Sequence, residues 1–291
     1  MLAHSRLLNR HMLVGQVADT VAGLILNHVR SKGKVPSPER VEAVARDYAQ
    51  KAVASSGRGA SLVLSGKVPH FGSQVLSDHV WGTEPTMSDE QLAFRVSKAA
   101  VAFASSGVVQ RLLSSAIDTW PAPRRREDPR PESWTVEGLG VSSAPDCWLE
   151  EAGRFVLLDW KASRTIGRDD GFQLAVYGLW AANARGVDPS EIYSQIVLMP
   201  LCPDYAPKAV GEEAIAIAHD TIRADWSAER SMVNVELKGD GVEIYVADRS
   251  AFPAQPDAAM CAACNFRMIC PESQTVLVAS QLLGSYKPAL G

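Results

Sequence analysis

The sequence lacks any continuous apolar run of the roughly 18–20 residues that a membrane helix needs. The longest near its start, Val21-Ala-Gly-Leu-Ile-Leu26, stops at Asn27-His28. It also lacks the charged-then-apolar layout and cleavage site of a signal peptide, so the cytoplasm is the expected location and no membrane partner is expected. An excess of positive charge is missing too: the net charge is −4 and the pI about 5.9. That removes the whole-molecule signature of a nucleic-acid binder, although a local basic groove can coexist with acidic sites. Cysteines do not come in an even set. There are five (Cys147, Cys202, Cys261, Cys264 and Cys270), and none precedes Cys147. An odd number without a secretion signal argues against a disulfide framework. Internal repeats and low-complexity blocks are absent as well, which excludes solenoid and linker-type chains.

What is present is an ordinary globular composition, 46% hydrophobic and 21% charged over 291 residues. That is enough for one large domain or two small ones. One stretch carries recognisable chemistry. Pro145-Asp146 is followed 13 positions later by Asp159-Trp160-Lys161. Phe155–Leu158 is an apolar run with β-formers and reads as a buried strand. Glu150-Glu-Ala-Gly153 before it suits a hairpin turn. Adjacent antiparallel strands would bring Asp146 and Asp159 to the same end of a sheet. A carboxylate at the end of a buried strand needs a partner or a metal. Paired carboxylates hold Mg²⁺ or Mn²⁺ through oxygen, and the nearby Lys161 would orient a water or balance phosphate charge.

Two further patterns follow. Phe172-Gln173-Leu-Ala-Val-Tyr177 places Gln173 and Tyr177 on one face of a helix over Gln173–Ala184. Cys261-Ala-Ala-Cys264 with Cys270 gathers three thiolates within ten positions, which suits one metal centre or cluster. Arg124, Arg125 and Arg126 form a basic cluster in a Pro-rich connector, and Arg164 and Arg168 follow Lys161. These five are the candidate DNA contacts, against the alternative of solvated loop charges.

Along the chain, residues 1–55 read as helical, with Val14, Val17, Val21, Leu24 and Ile25 at helical spacing and a break at Pro36-Ser-Pro38. Residues 56–87, rich in Gly, Ser and Pro, read as loop with at most one short element. Ser88-Asp-Glu-Gln91 is a capping-type start to a helix running towards Ile117. Trp134–Val141 begins the sheet. Strands over Tyr193–Met199, Val233–Leu237 and Gly241–Val246, a helix over Ala214–Trp226 and a last helix over Gln274–Leu283 complete the pattern. It gives a mixed α/β core with a helical preface.

Together the three motifs resemble the PD-(D/E)xK nuclease superfamily, in particular its RecB-like branch with a C-terminal iron–sulfur Cys motif, of the AddB nuclease domain or CRISPR-associated exonuclease type. The resemblance covers roughly residues 135–275. It implies an α/β restriction-endonuclease-like fold, a mixed β-sheet core flanked by helices. The expected division is an N-terminal helical region over 1–133, a nuclease core over 134–250 and a Cys-rich segment with a terminal helix over 251–291. The implied activity is metal-dependent hydrolysis of DNA phosphodiesters, as an exonuclease on single strands or ends. Recombination, repair, phage DNA metabolism and CRISPR adaptation are the implied settings, with protein partners there. The catalytic set implied is Asp146, Asp159, Lys161, Gln173 and Tyr177, with the backbone carbonyl of Trp160 as a further ligand of Mg²⁺ or Mn²⁺. The branch often carries G-x-x-x-H on an early helix, and Gly15-Gln-Val-Ala-Asp19 matches it with Asp19 in place of His. Glu137 is a further candidate near the metal. Asp19 and Glu137 each have an ordinary polar-position alternative. The cysteines imply a [4Fe-4S] cluster whose fourth ligand would be His11, His4 or Cys202, with Zn²⁺ as the alternative. A nuclease-like fold retained as a DNA-binding or assembly subunit with a structural metal centre is the competing function.

Overall fold

The computed structural model describes residues 7–65, 74–121, 133–203, 205–237 and 243–247. In chain order the elements are β1 (Leu7–Leu8), α1 (Arg10–Lys32), α2 (Pro38–Leu64), β2 (Val75–Leu76), α3 (Ser77–Trp81), α4 (Asp89–Ala104) and α5 (Gly107–Ser114). They continue with β3 (Ser133–Val136), β4 (Leu139–Ser142), β5 (Cys147–Glu151), β6 (Arg154–Lys161), α6 (Asp170–Arg185), β7 (Ile192–Leu198), β8 (Lys208–Ala209), α7 (Glu212–Ser231), β9 (Val233–Leu237) and β10 (Glu243–Ala247). Two compact units result. Among the described residues, one comprises those within 10–55 and 85–223, the other those within 7–9, 56–84 and 224–247.

The larger unit is built on a four-stranded sheet in the order β5-β6-β7-β8. β5 and β6 are antiparallel, with Cys147 opposite Leu158 and Glu151 opposite Arg154. The two residues between, Ala152 (φ 49°) and Gly153 (φ 73°), both have positive φ. That is what the tight two-residue hairpin turn matched to strand twist requires. The turn sets the register, and the register puts Asp146 one step beyond Cys147, level with Asp159. β6 then pairs in parallel with β7, with α6 as the crossover. A parallel pair cannot be joined by a hairpin and needs such a connection.

β6 is buried from Phe155 through Trp160, as a central strand covered on both faces should be. Its alternation divides the site. Phe155 and Leu157 join Val176, Tyr177, Leu179 and Trp180 of α6 in one core cluster. Asp159 and Lys161 continue that face. Trp160 points the other way, with its ring 5.3 Å from that of Phe103 on α4. There α1 packs along α4, burying Leu13, Val14, Val17, Val21, Ile25 and Leu26. α1 has the length and mean hydropathy (1.3) of a membrane span by composition, as does the bent pair α4–α5. Half of the α1 window is buried within the protein.

Four expectations change. The stretch 56–64 is not loop but the last turns of α2, in the smaller unit. There Ala60 and Val63 pack with Leu7, Val75 and Val80. Gly59 reads as a loop residue in sequence, yet it is what allows β2 so close: a Cβ there would lie 2.6 Å from Val75 Cγ2. The helix after Ser88 has its capping box but ends at Ala104. It restarts as α5 behind Ser106, whose hydroxyl accepts from Val109 N at 3.3 Å, because serines compete for backbone groups and favour caps. Trp134–Val141 is a hairpin, β3 against β4, turned at Glu137-Gly138 (φ 48° and 85°). The helix over 214–226 is longer than expected, since α7 runs from Glu212 to Ser231. β9 and β10 pair antiparallel, as expected of a hairpin.

Candidate active site

Asp159 and Lys161 leave the end of β6 on the face covered by α6. Asp159 is 3% exposed. Its Oδ2 stands 2.9 Å from Lys161 Nζ, and its Oδ1 accepts from the Tyr177 hydroxyl at 3.3 Å. Lys161 Nζ donates to Gln173 Oε1, and Gln173 Nε2 donates to Tyr177 Oη. The four side chains therefore close a ring: Lys161, Gln173, Tyr177, Asp159 and back to Lys161. The amide of Gln173 works only in this orientation, because its oxygen must face an ammonium and its nitrogen a hydroxyl. The helical spacing of Gln173 and Tyr177 is what lets α6 supply both.

Asp146 faces this ring from the start of β5. Its Oδ2 accepts from the main-chain N of Trp160 at 2.8 Å. The indole Nε1 of the same tryptophan donates to Asp19 Oδ1, also at 2.8 Å. One residue thus ties two carboxylates, the second carried in by α1 across the other face of the sheet. Burial pushes the Asp146 carboxyl well above the ordinary aspartate range, and the charges of Asp159 and Asp19 push it further, against the Trp160 N–H and Lys161. Burial likewise raises Asp159, against Lys161, and raises Asp19, against Trp160. For Lys161 burial pulls downward, but Asp159, Asp170 and Asp146 outweigh it and the amine is held above its ordinary value. Tyr177 is raised by burial and by the same aspartates, so it stays a neutral donor.

Among the described residues, no three His, Cys, Asp or Glu side chains converge as a formed metal cage. One oxygen of each carboxylate accepts from the chain: Asp146 Oδ2 from Trp160 N, Asp19 Oδ1 from the Trp160 indole and Asp159 Oδ1 from Tyr177. The donor set nonetheless suits a hard cation. Mg²⁺ keeps several waters and is bound through one or two carboxylates. Asp146 and Asp159, with the carbonyl of Trp160, the residue after Asp159, offer oxygen donors only. Buried carboxylates that raise one another mark a position where positive charge is favourable.

Asp170 was not singled out from sequence. Its Oδ1 lies 3.6 Å from Lys161 Nζ. The signal was available: Asp170, Gln173 and Tyr177 fall at i, i+3 and i+7 on one helix face. Glu137 is placed differently from the expectation. At the tip of the β3–β4 hairpin it meets Arg223 Nε at 3.0 Å and His219 Nε2 at 3.5 Å, both on α7. An exposed turn residue paired with Arg223 is not part of the carboxylate group. Arg164 and Arg168 are exposed on the loop between β6 and α6. His11 is exposed on α1 beside Arg95 Nη1, 3.5 Å away. Cys202, just after β7, donates its thiol to Met199 O at 3.1 Å, and burial pushes that thiol up to about 11. Cys147 is a buried core residue with its thiol pushed up to about 12 by burial. Arg124, Arg125, Arg126, His4, Cys261, Cys264 and Cys270, with the expected helix over 274–283, lie outside the described residues.

A family model described as the PD-(D/E)XK nuclease superfamily matches residues 70–271. No curated protein and no solved structure matches the chain.

Proposed function

The chain belongs to the PD-(D/E)XK nuclease superfamily, and from that premise we propose that it is a divalent-metal-dependent deoxyribonuclease of the RecB-like kind, an exonuclease on single-stranded DNA or DNA ends. The observation that carries the reading is the closed ring Asp159–Lys161–Gln173–Tyr177 facing Asp146. A structural ion pair needs no glutamine and tyrosine on a neighbouring helix to aim it. A reaction centre does, because a catalytic group must be held within fractions of an ångström.

Asp146, Asp159 and the Trp160 carbonyl would hold Mg²⁺ or Mn²⁺. Bound there, the ion would supply a water acidified towards neutral pH and charge neutralisation on the phosphate. Lys161 is kept as an ammonium by the acids around it. Its role is therefore to donate hydrogen bonds and positive charge to a phosphate oxygen, not to accept a proton. Gln173 and Tyr177 hold that ammonium in place. Arg164 and Arg168, on the loop beside it, are the proposed contacts to the DNA backbone, with Arg124–Arg126 as a second group. Cys261, Cys264 and Cys270 would bind a [4Fe-4S] cluster or zinc. Anaerobic purification with iron and zinc analysis separates the two, since the first is brown and the second colourless. Recombination, repair, phage DNA metabolism or CRISPR adaptation would be the setting.

The test is incubation of the purified chain with end-labelled single- and double-stranded DNA in Mg²⁺ or Mn²⁺, beside Asp159→Ala and Lys161→Ala. Loss of at least about 10²–10³-fold in rate is expected for each variant. Equal degradation by wild type and variants, or none by any, sinks the catalytic reading. The second outcome together with retained DNA binding would favour an assembly subunit.

A further inference from the structure

Lys161 Nζ is reached from three sides. Asp159 Oδ2 stands 2.9 Å away, Gln173 Oε1 accepts its hydrogen bond, and Asp170 Oδ1 lies 3.6 Å away. The first two belong to the sequence motifs; the third does not. Asp170 opens α6, and its other oxygen, Oδ2, accepts from Gly167 N at 2.6 Å. One carboxylate thus touches both the lysine and the loop that carries Arg164 and Arg168. Its side chain is only 16% exposed, unlike a solvated acid that merely complements a helix dipole.

The three contacts are not equivalent. An ammonium has three protons to place. Gln173 is a neutral acceptor. Asp159 is shared, because the oxygen it offers to the lysine, Oδ2, is one it would offer to a cation. Asp170 is different: its charge is committed to Lys161, and its second oxygen is fixed by a backbone amide. It is therefore the anion whose grip on Nζ does not depend on what Asp159 binds.

We propose that Asp170 is a positioning residue that acts through Lys161, holding Nζ at the reaction centre and tying it to the β6–α6 loop. Its effect on turnover rests on the nuclease reading above. Its effect on the position of Lys161 does not, and the experiment keeps the two apart.

The full chain is compared as wild type, Asp170→Asn, Asp170→Ser and Asp170→Glu. Asparagine and serine each keep an oxygen for Gly167 N. Neither carries charge, and serine cannot reach Nζ. Lysine labelled with ¹³C at Cε is read by NMR with and without Mg²⁺, Lys161→Arg identifying the signal. The Lys161 order parameter is expected to fall by about a third or more in the asparagine and serine variants. The fall should be larger in Mg²⁺, the other lysines should not change, and glutamate should restore the restriction. In parallel, kcat on single-stranded DNA is expected to drop about tenfold or more in Asp170→Asn, with KM within about threefold and recovery in Asp170→Glu. The melting temperature and Mg²⁺ affinity should stay at wild-type values. A Lys161 signal as restricted in both uncharged variants as in wild type overturns the proposal. So does a loss of restriction accompanied by an equal loss at other lysines or a fallen melting temperature, since Asp170 would then be a fold residue. If wild type cuts no DNA in either metal, the nuclease reading fails, and the NMR result still decides the position of Lys161.

Discussion

Trp160 is the residue on which the site turns, and neither of its two donors is interchangeable with the other. Its main-chain N–H fixes Asp146 through sheet geometry, while its indole reaches Asp19 on a helix from the opposite layer. The acids so gathered are raised by burial and by one another, and this has a definite sign in stability. A carboxyl whose folded pKa lies above its unfolded value binds protons in the folded state first. Stability of the metal-free protein therefore rises as pH falls from neutral through the raised folded values, and levels off below the ordinary aspartate value of 3.8. The contribution is lost again as pH rises through the folded pKa. Urea unfolding in EDTA between about pH 7.5 and 5 should show this, and Asp146→Asn should flatten the rise. A variant with the wild-type slope would mean that Asp146 titrates normally. At this scale the sequence was legible where residues are close in the chain. Asp146, Asp159 and Lys161 could be placed from one hairpin, and Gln173 with Tyr177 from one helix turn. Asp19 was legible only as a position, because its bond to the Trp160 indole spans 141 residues. Asp170 was hidden by its place in a polar, Gly-punctuated stretch that reads as loop.

At the scale of elements, the β5–β6 hairpin decides whether the two acids meet, since a one-residue slip would turn Asp159 to the other face of the sheet. Its turn carries one strained residue. Ala152 has φ 49°, a left-handed conformation that costs a residue with a Cβ roughly 1–2 kcal/mol. Asparagine tolerates it better, and Asn-Gly is the favoured pair for this turn. Ala152→Asn should therefore stabilise the protein by about 0.5–1 kcal/mol, raising the melting temperature by about 1–4 °C with nuclease rate unchanged. Calorimetry reads the first and the end-labelled DNA assay the second; a lower melting temperature would contradict the turn assignment. Most elements near this hairpin were readable because their periodicity is strong. The misread ones share a cause. Gly59 and the serines of α2 look like loop composition, but small residues are also what a helix uses where a strand approaches closely. Glu137-Gly138 likewise looked like part of one strand, because Trp134–Val141 carries two glycines, Gly138 and Gly140, and nothing else to mark where the chain reverses.

At the scale of the molecule, the family-matched span and the structural site differ in extent. The match begins at residue 70, whereas α1 lies before it and carries Asp19 to the indole of Trp160. α1 also supplies the apolar face that packs along α4. A fragment limited to residues 70–271 would keep Asp146, Asp159, Lys161, Gln173 and Tyr177. It would nonetheless expose the α4 surface and leave the indole without its acceptor. We expect it to aggregate, or to unfold without a cooperative transition, and to show no Mg²⁺-dependent rise in melting temperature, whereas one is expected of the full chain. A soluble fragment with an intact Mg²⁺ response would show that α1 is dispensable. The tie between Asp19 and Trp160 thus makes the helical preface part of the site's electrostatics as well as of its packing. Exchanging α1 for a helix without that acid would remove both the acceptor of the Trp160 indole and one of the charges that raise Asp146.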